Sequence, residues 1–173
     1  SLVLALGAVP AQAQDNGGNS EAKKQKIEQL KKTYAAGGQA LENKEFETAY
    51  QHFKEAATLA EETGEDGALQ QIRQYQVAAL TKLGTEEIKA KNYRDALTHF
   101  DRVIELQPNK ASAFHNRGIA LVNLDSTEAG LQSMKKAADI ATEAGDLSVA
   151  RTSTDRIRQE FVARASKALS ASN

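Results

Sequence analysis

The sequence predicts an all-α protein built from stacked antiparallel helical hairpins, and three observations support that fold class. Aromatic residues make up only 5 % of the 173 residues, Trp is absent and Pro occurs twice. The apolar residues are mostly Ala and Leu, a mixture that favours helix over strand. From Glu21 onward the apolar residues follow a helical period with few interruptions, and small and bulky residues recur at fixed distances.

Charge and cysteine content exclude several classes of function. Lys and Arg total 22 against 23 for Asp and Glu, so the formal net charge of −1 gives no electrostatic reason to expect nucleic acid or an anionic membrane surface as a partner. The absence of Cys excludes disulfides, thiolate metal sites and Cys nucleophiles. We therefore expect no cofactor, no metal and no nucleic acid.

The amino-terminal segment differs from the rest of the chain. The apolar run from Leu2 to Val9 is too short to span a bilayer, and Pro10 and an Ala-Gln-Ala triplet at 11–13 follow it. This pattern predicts that residues 1–13 belong to a signal peptide cleaved after Ala13, and hence a periplasmic or secreted protein. A disordered tail or a cloning remnant is the alternative. Residues 14–19 are polar and Gly-rich and predict a flexible tether, which leaves 20–173 for the helical domain.

Breaks in the helical period divide the remaining chain into seven predicted helices. They fall at 43–45, 63–67, 91–92, 107–110, 125–126 and 144–146. Gly64 and Gly145 can adopt the left-handed conformation that follows a helix end, while the side chains of Asp66, Asn92, Ser126 and Asp146 can cap the next helix. Connections this short make neighbouring helices antiparallel. The helix after Asp66 is expected to be unusually long, and so is the opening helix from Ser20 to Glu42.

Three segments share one spacing when Ala49, Ala96 and Gly130 are aligned. A Gly stands twelve residues before each of them, a large apolar residue four after and a smaller apolar residue seven after. These residues are Gly37, Gly84 and Gly118, then Phe53, Phe100 and Met134, then Ala56, Val103 and Ala137. A Gly lets two helix backbones approach and the bulky residue fills the space beside them, so we expect packing roles.

The middle copy resembles the tetratricopeptide repeat (TPR), a 34-residue helix-turn-helix unit. The residues that carry the resemblance are Leu83, Gly84, Tyr93, Ala96, Phe100 and Pro108. The resemblance covers about residues 20 to 145 and implies an α-α superhelix of about three repeats, whose inner face binds proteins or peptides. Glu87, Arg117 and Gly130 depart from the family pattern. Gly84 and Gly118 are 34 residues apart, the family period, whereas Gly37 and Gly84 are 47 apart.

The last predicted helix is amphipathic. Its apolar stripe consists of Leu147, Ala150, Ile157, Phe161, Ala165 and Leu169. We expect this stripe to cover the open end of the repeats as a capping helix. Alternatively, the basic side of the helix docks a partner or forms a dimer; its residues are Arg151, Arg156, Arg158, Arg164 and Lys167.

The resemblance also selects the residues expected to line the inner, concave face. In the first copy they are Lys31, Tyr34, Gly38 and Leu41; in the second, Ala78, Thr81, Lys82, Thr85, Ile88 and Lys89; in the third, Ser112, His115, Asn116, Ile119, Val122 and Asn123. Mildly basic, apolar and amide groups alternate along this surface, as expected for recognition of an extended segment or a helix. Lys31, Lys82 and Asn116 only partly match the clamp with which some family members grip a carboxyl-terminal peptide.

Residues that could support catalysis are few. His52 and His99 lie one copy apart, and neither has partners at metal-ligand spacing. We therefore predict a non-catalytic protein-protein interaction scaffold. The alternative is a structural subunit of a cell-envelope assembly that self-associates through its terminal helices, as a homo-oligomer.

Overall fold

The structure is a computed structural model that describes residues 17–171, which form seven α-helices and no strand. The helices are α1 (Gly17–Glu42), α2 (Phe46–Thr63), α3 (Asp66–Lys89), α4 (Tyr93–Leu106), α5 (Ala111–Asn123), α6 (Thr127–Glu143) and α7 (Leu147–Ala171). The predicted all-α class and the seven predicted helices are confirmed. The great length predicted for the helix after Asp66 is confirmed as well, since α3 contains 24 residues.

The predicted signal segment, residues 1–13, lies outside the described residues. The same holds for residues 14–16 of the predicted tether, whereas residues 17–19 form the start of α1.

Each turn after α1, α2, α3, α5 and α6 contains one residue in the left-handed conformation. Gly64 and Gly145 occupy it after α2 and α6, as predicted, with φ values of 70° and 74°. Lys44, Lys91 and Asp125 occupy it after the other three helices, with φ near 60°. In each turn the next residue donates its N–H to a carbonyl five positions back, as Asn92 does to Glu87 at 2.8 Å. This bond satisfies a carbonyl that the helix end leaves open, and it stops the helix.

Replacing Lys91 by glycine should therefore stabilise the protein. A side chain at φ 63° is strained, whereas glycine adopts this conformation without steric cost. We expect a gain of about 0.5–1 kcal/mol in the free energy of unfolding, after the greater backbone entropy of glycine in the unfolded chain is subtracted. Urea denaturation of the two proteins measures it. Gln74→Gly, at an exposed position in the interior of α3, is the control and should lose about 1 kcal/mol.

The predicted side-chain caps are confirmed only in part. The Asp146 carboxylate accepts a hydrogen bond from the backbone N–H of Val149 at 3.1 Å. Asn92 and Ser126 make no capping hydrogen bond, so for them the prediction is wrong. Both lie in tight turns with φ/ψ near −85°/60° and −89°/50°, not in the extended conformation that directs a cap side chain toward the helix. The Asn92 amide donates instead to Glu87 at 2.7 Å.

The aligned small and bulky residues form the contacts within the hairpins. A Cβ atom built on Gly37 would lie 2.9 Å from the ring of Phe53, one on Gly84 would lie 2.7 Å from Phe100, and one on Gly118 would lie 2.6 Å from Met134. All three bulky side chains are fully buried. The predicted packing roles are confirmed, because only glycine lets these helix pairs come so close.

The third hairpin is packed through two such contacts. Gly130 in α6 lies against Val122 in α5, just as Gly118 in α5 lies against Met134 in α6. Each helix therefore carries a small residue, here called a notch, and a bulky residue, here called a knob, four positions apart. The two helices run antiparallel and exchange knobs, which is why glycine replaces the alanine of the family pattern at position 130.

The other two departures from the family pattern have polar explanations. Arg117 forms an ion pair through its Nε with the Asp101 carboxylate of α4, and its side chain is only partly exposed. Glu87 accepts the hydrogen bond from the Asn92 amide at the end of α3. A charged group at each position therefore has a partner within the same part of the fold.

The chain divides into two compact units, with the boundary between Lys82 and Leu83 inside α3. The core of the first unit contains three aromatic rings. The ring centroid of Phe53 lies 5.7 Å from that of Tyr34 and 5.2 Å from that of Tyr75. The Gln76 amide donates to the Phe53 carbonyl at 3.2 Å. The second unit has its own core, which includes Phe100, Val103, Met134 and Ile140. In repeat proteins each hairpin contacts its neighbours only, so several small cores are expected.

The amino-terminal half of α7 packs on α5 and α6 through a face that coincides only in part with the predicted stripe. Ala150 and Ile157 of the predicted stripe are half-buried there, as predicted. The other buried or half-buried residues of α7 are mostly polar: Val149, Ser153, Asp155, Arg156 and Glu160. Leu147, Phe161 and Leu169, which were expected to cover the repeats, are exposed. The prediction of a capping apolar stripe is therefore wrong for these residues. A physical reason is that α5 presents a polar partner to α7, the His115 ring that Ser153 contacts at 2.9 Å.

Candidate functional site

The candidate surface is clearest on α5. Ser112, Asn116, Ile119 and Asn123 are spaced so that they share one side of the helix, and we call these four residues the α5 stripe. The first three are half-buried and Asn123 is exposed. Hydroxyl, amide and apolar groups thus alternate on a surface that is partly screened from water.

Polar groups of the α5 stripe remain available to a ligand. The Asn123 amide donates a hydrogen bond to the Ile119 carbonyl at 2.8 Å, which leaves its own carbonyl oxygen free to accept. The Asn116 and Ser112 side chains make no hydrogen bond with other residues of 17–171. A half-buried amide without a protein partner gains from a ligand's backbone group more than an exposed one does.

Two predicted α5 residues are occupied by contacts within the protein. The Nδ1 atom of His115 lies 2.9 Å from the Ser153 hydroxyl of α7. Val122 is the knob that fills the space at Gly130. Both are half-buried and lie at the edge of the α5 stripe that faces α6 and α7. Each therefore has a packing role, and its role as a groove residue stays a prediction.

The pair of His115 and Ser153 resembles a base and a nucleophile, but its geometry is unsuited to catalysis. Ser153 is fully buried, so a substrate cannot reach its hydroxyl. Burial lowers the pKa of His115 below its usual value, and the positive charge of Arg156 lowers it further. The imidazole is therefore neutral near pH 7 and joins α5 to α7 by a hydrogen bond.

The predicted role of Tyr34 is corrected. It is 1 % exposed, in the aromatic core of the first unit, and packs edge-on against both Phe53 and Tyr75. Burial, together with Tyr75, raises the pKa of its phenol. A tyrosine in this position stabilises the first hairpin and is not available to a ligand.

The remaining predicted residues of the first unit lie on α1 and α3. Lys31, Ala78 and Lys82 are exposed, while Leu41 and Thr81 are half-buried. The Thr81 hydroxyl donates to the Val77 carbonyl of its own helix at 2.7 Å. Gly38 is buried. Neither Lys31 nor Lys82 forms an ion pair within the described chain, so both can meet an acidic group of a ligand.

In the second unit, the end of α3 contributes three predicted residues. Thr85 and Ile88 are half-buried and Lys89 is exposed. Nothing in the structure tests the partial match of Lys31, Lys82 and Asn116 to a carboxylate clamp, and the clamp stays a prediction.

Sequence reasoning missed the polar face that fixes α7. Val149, Ser153, Arg156 and Glu160 recur at helical spacing, but two of them are charged, and an apolar stripe nearby gave the stronger signal. The Arg156 guanidinium pairs with Glu160 at 2.7 Å. The two opposite charges of this face therefore partly neutralise each other within α7 itself.

Two properties of the described residues bear on other functions. Within residues 17–171, no group of three or more His, Asp or Glu side chains is arranged to hold a metal ion. None of the described helices is both long and apolar enough to cross a bilayer.

Comparison with known proteins gives structural similarity without sequence similarity. No family model matches the chain and no curated protein matches it. Solved structures do match. The C-terminal TPR-containing domain of a Plasmodium falciparum protein has 19 % identity and a TM-score of 0.48, over 80 % of this chain and 95 % of that one.

Two further structures align over a similar share of the chain. The TPR2B domain of yeast Sti1, solved as a complex with pHsp70, has 16 % identity and a TM-score of 0.48, over 79 % of this chain and 98 % of that one. The Arabidopsis OM64 TPR domain has 16 % identity and a TM-score of 0.47, over 78 % and 98 %.

The hairpin contacts of the chain itself identify its fold. Antiparallel helix pairs are joined by a glycine against a bulky residue, with Gly84 against Phe100 and Gly118 against Met134, and these two glycines are 34 residues apart. The described chain is thus an array of tetratricopeptide-type helical hairpins.

Proposed function

We propose that the protein is a non-catalytic interaction scaffold that binds a peptide or protein segment through the α5 stripe and the predicted residues at the end of α3. The site takes an extended backbone or one side of a helix by amide hydrogen bonds and an apolar anchor. Asn116 supplies the hydrogen-bonding group, Ile119 the apolar contact and Lys89 a positive charge for an acidic group of the ligand.

The observation that carries this proposal is the half-buried Asn116 amide without a partner among the described residues. The amide is half-buried and still in contact with water, so a ligand's backbone carbonyl or N–H can replace that water. Ile119, three residues further on, is half-buried on the same side of α5. A ligand that supplied a carbonyl and an N–H to Asn116 would also cover this side chain.

The proposal includes a location in the periplasm or outside the cell. It is supported by the apolar run of the amino-terminal segment and the Ala-Gln-Ala triplet at 11–13, and by the lack of Cys, which suits an oxidising space. Fractionation of the native host, with the protein detected in the periplasm or medium and its amino terminus read by mass spectrometry, tests this part.

Selection of a displayed peptide library on the purified full chain tests the binding site. For a selected peptide, the combined substitutions Ser112→Ala, Asn116→Ala and Asn123→Ala should raise Kd at least about ten-fold, because three hydrogen-bonding groups are lost. Isothermal calorimetry or fluorescence anisotropy measures the change.

The matched control replaces three exposed residues of α6, Gln132, Lys136 and Asp139, by alanine. It should leave Kd unchanged within about two-fold, since surface truncations outside an interface are nearly neutral. Equal Kd values for the wild-type protein and the α5 variant would contradict the proposed site.

A further inference from the structure

Every large hydrophobic side chain that is strongly exposed in the described chain lies on α7. These side chains are Leu147, Phe161, Val162 and Leu169, with exposed fractions between 57 % and 73 %. Four such residues on one helix, and none elsewhere in residues 17–171, mark an interaction surface.

Helical geometry places these residues away from the packed face of α7. At 100° per residue, Leu147, Arg158, Phe161, Ala165 and Leu169 fall on one side of the helix, about 130° from the packed residues Ser153 and Glu160. All of the former are exposed. We call Leu147, Phe161, Val162, Ala165 and Leu169 the outer stripe of α7.

One residue of the outer stripe lies at the same distance from a left-handed glycine as a helix-packing residue elsewhere in the chain. The left-handed Gly64 precedes Gly84 by 20 residues, and the left-handed Gly145 precedes Ala165 by 20 residues. Gly84 is the notch in α3 that receives Phe100 of α4. Ala165 is therefore a small residue at the position where a bulky side chain of an antiparallel helix packs, but no helix of the described chain covers it.

The outer stripe also carries the bulky residue that such a notch requires. In the third hairpin, the notch and knob of each helix are four residues apart, and the antiparallel pair exchanges knobs, Met134 to Gly118 and Val122 to Gly130. Phe161 and Ala165 are likewise four residues apart. A helix with both elements on one face is complementary to a second copy of itself.

We propose that two copies of this chain dimerise by antiparallel pairing of their α7 outer stripes, with Phe161 of each copy against Ala165 of the other. The same register places each Leu169 opposite Ile157 of the second copy. A two-fold axis relates the two helices, so one patch serves both sides, as in most homodimers. This surface is separate from the α5 stripe. A result against the dimer would therefore leave the proposed binding function unaffected, and a result against the binding function would leave the dimer unaffected.

Charge sets the salt dependence of this dimer. Helix α7 carries five basic and two acidic residues, a net charge of +3. Four of the basic groups form ion pairs, of Arg151 and Arg158 with Asp155, of Arg156 with Glu160, and of Arg164 with Glu128. The remaining repulsion between copies is screened by salt, so association should strengthen as ionic strength rises. If α7 instead bound an acidic partner or an anionic lipid surface, that binding would weaken as ionic strength rises.

Sedimentation velocity of the full chain from about 1 to about 500 µM tests the proposal, because small interfaces associate in this range. We expect a monomer–dimer equilibrium that strengthens between about 0.05 and about 0.5 M NaCl. Phe161→Ala removes the knob and Ala165→Phe fills the notch, and each should raise the dimer Kd at least about ten-fold.

The double variant Phe161→Ala with Ala165→Phe exchanges knob and notch and should restore association to within about three-fold of the wild type. Ala163→Phe adds the same ring to the opposite side of α7 and should change nothing. Circular dichroism confirms that each variant is folded, as expected for exposed positions.

Three results would overturn the dimer. The first is a wild-type protein that stays monomeric at every concentration. The second is an Ala165→Phe variant that associates more tightly, which would indicate non-specific apolar contact. The third is a monomer that binds vesicles of phosphatidylglycerol and loses that binding with Phe161→Ala, which would assign the stripe to a membrane surface.

Discussion

Replacing Phe100 by alanine should lower the free energy of unfolding by about 3–5 kcal/mol, the largest effect that we expect of any single substitution. The ring is fully buried and lies against Gly84, so its removal opens a cavity between α3 and α4. Glycine at position 84 has no side chain with which to refill that space. Urea denaturation followed by circular dichroism measures the loss.

Phe161→Ala is the matched control. It removes the same ring from the same unit, but Phe161 is 57 % exposed. At protein concentrations of about 1 µM, below those at which a small interface associates, the change should stay within about 0.5 kcal/mol. Comparable losses for the two variants would contradict the placement of Phe100 in the core.

Gly130→Ala should also destabilise the protein strongly, although it restores the residue that the repeat pattern favours. Alanine normally stabilises a helix by about 1 kcal/mol relative to glycine. Here its Cβ would lie 2.6 Å from the Val122 side chain and 2.9 Å from the Gly118 carbonyl oxygen. A backbone group cannot rotate away, so α5 and α6 must separate. We expect a net loss of about 1–3 kcal/mol in the free energy of unfolding.

Gly67→Ala should change the free energy of unfolding in the opposite direction. Gly67 lies in the first turn of α3, and a Cβ there meets no atom within 4 Å. Helix propensity then acts alone and should stabilise the protein by a few tenths to about 1 kcal/mol. If both alanines stabilised the protein, the close approach of α5 and α6 would be wrong.

The helices and their order were predictable because their signals are local. Gly64 and Gly145 end helices through a conformation that belongs to glycine itself, and the sequence around each needs no distant partner. The pairing of Gly37 with Phe53 and of Gly84 with Phe100 was predictable for a related reason. A short turn fixes which residues of two antiparallel helices meet, so spacing in the sequence becomes distance in space.

Exposure of the candidate site was harder to predict. Tyr34 and Lys31 are three residues apart on α1, but the phenol is buried against Tyr75 while the lysine faces solvent. His115 and Asn116 are adjacent, and only His115 reaches Ser153 of α7. The deciding residue lies 41 positions away from Tyr34 and 38 positions away from His115, and no local pattern contains it.

The amino-acid sequence by itself determined the all-α class, the number of helices and the contacts of Gly37, Gly84 and Gly118 with the bulky residue of each hairpin, because periodicity and turn chemistry act over a few residues. Only the tertiary structure decided which face of α7 is packed and which parts of the predicted inner face remain open. Burial depends on the summed contacts of several helices. A polar face with the right partners, such as Ser153 with His115, can therefore be buried while a more apolar one at Phe161 stays in solvent.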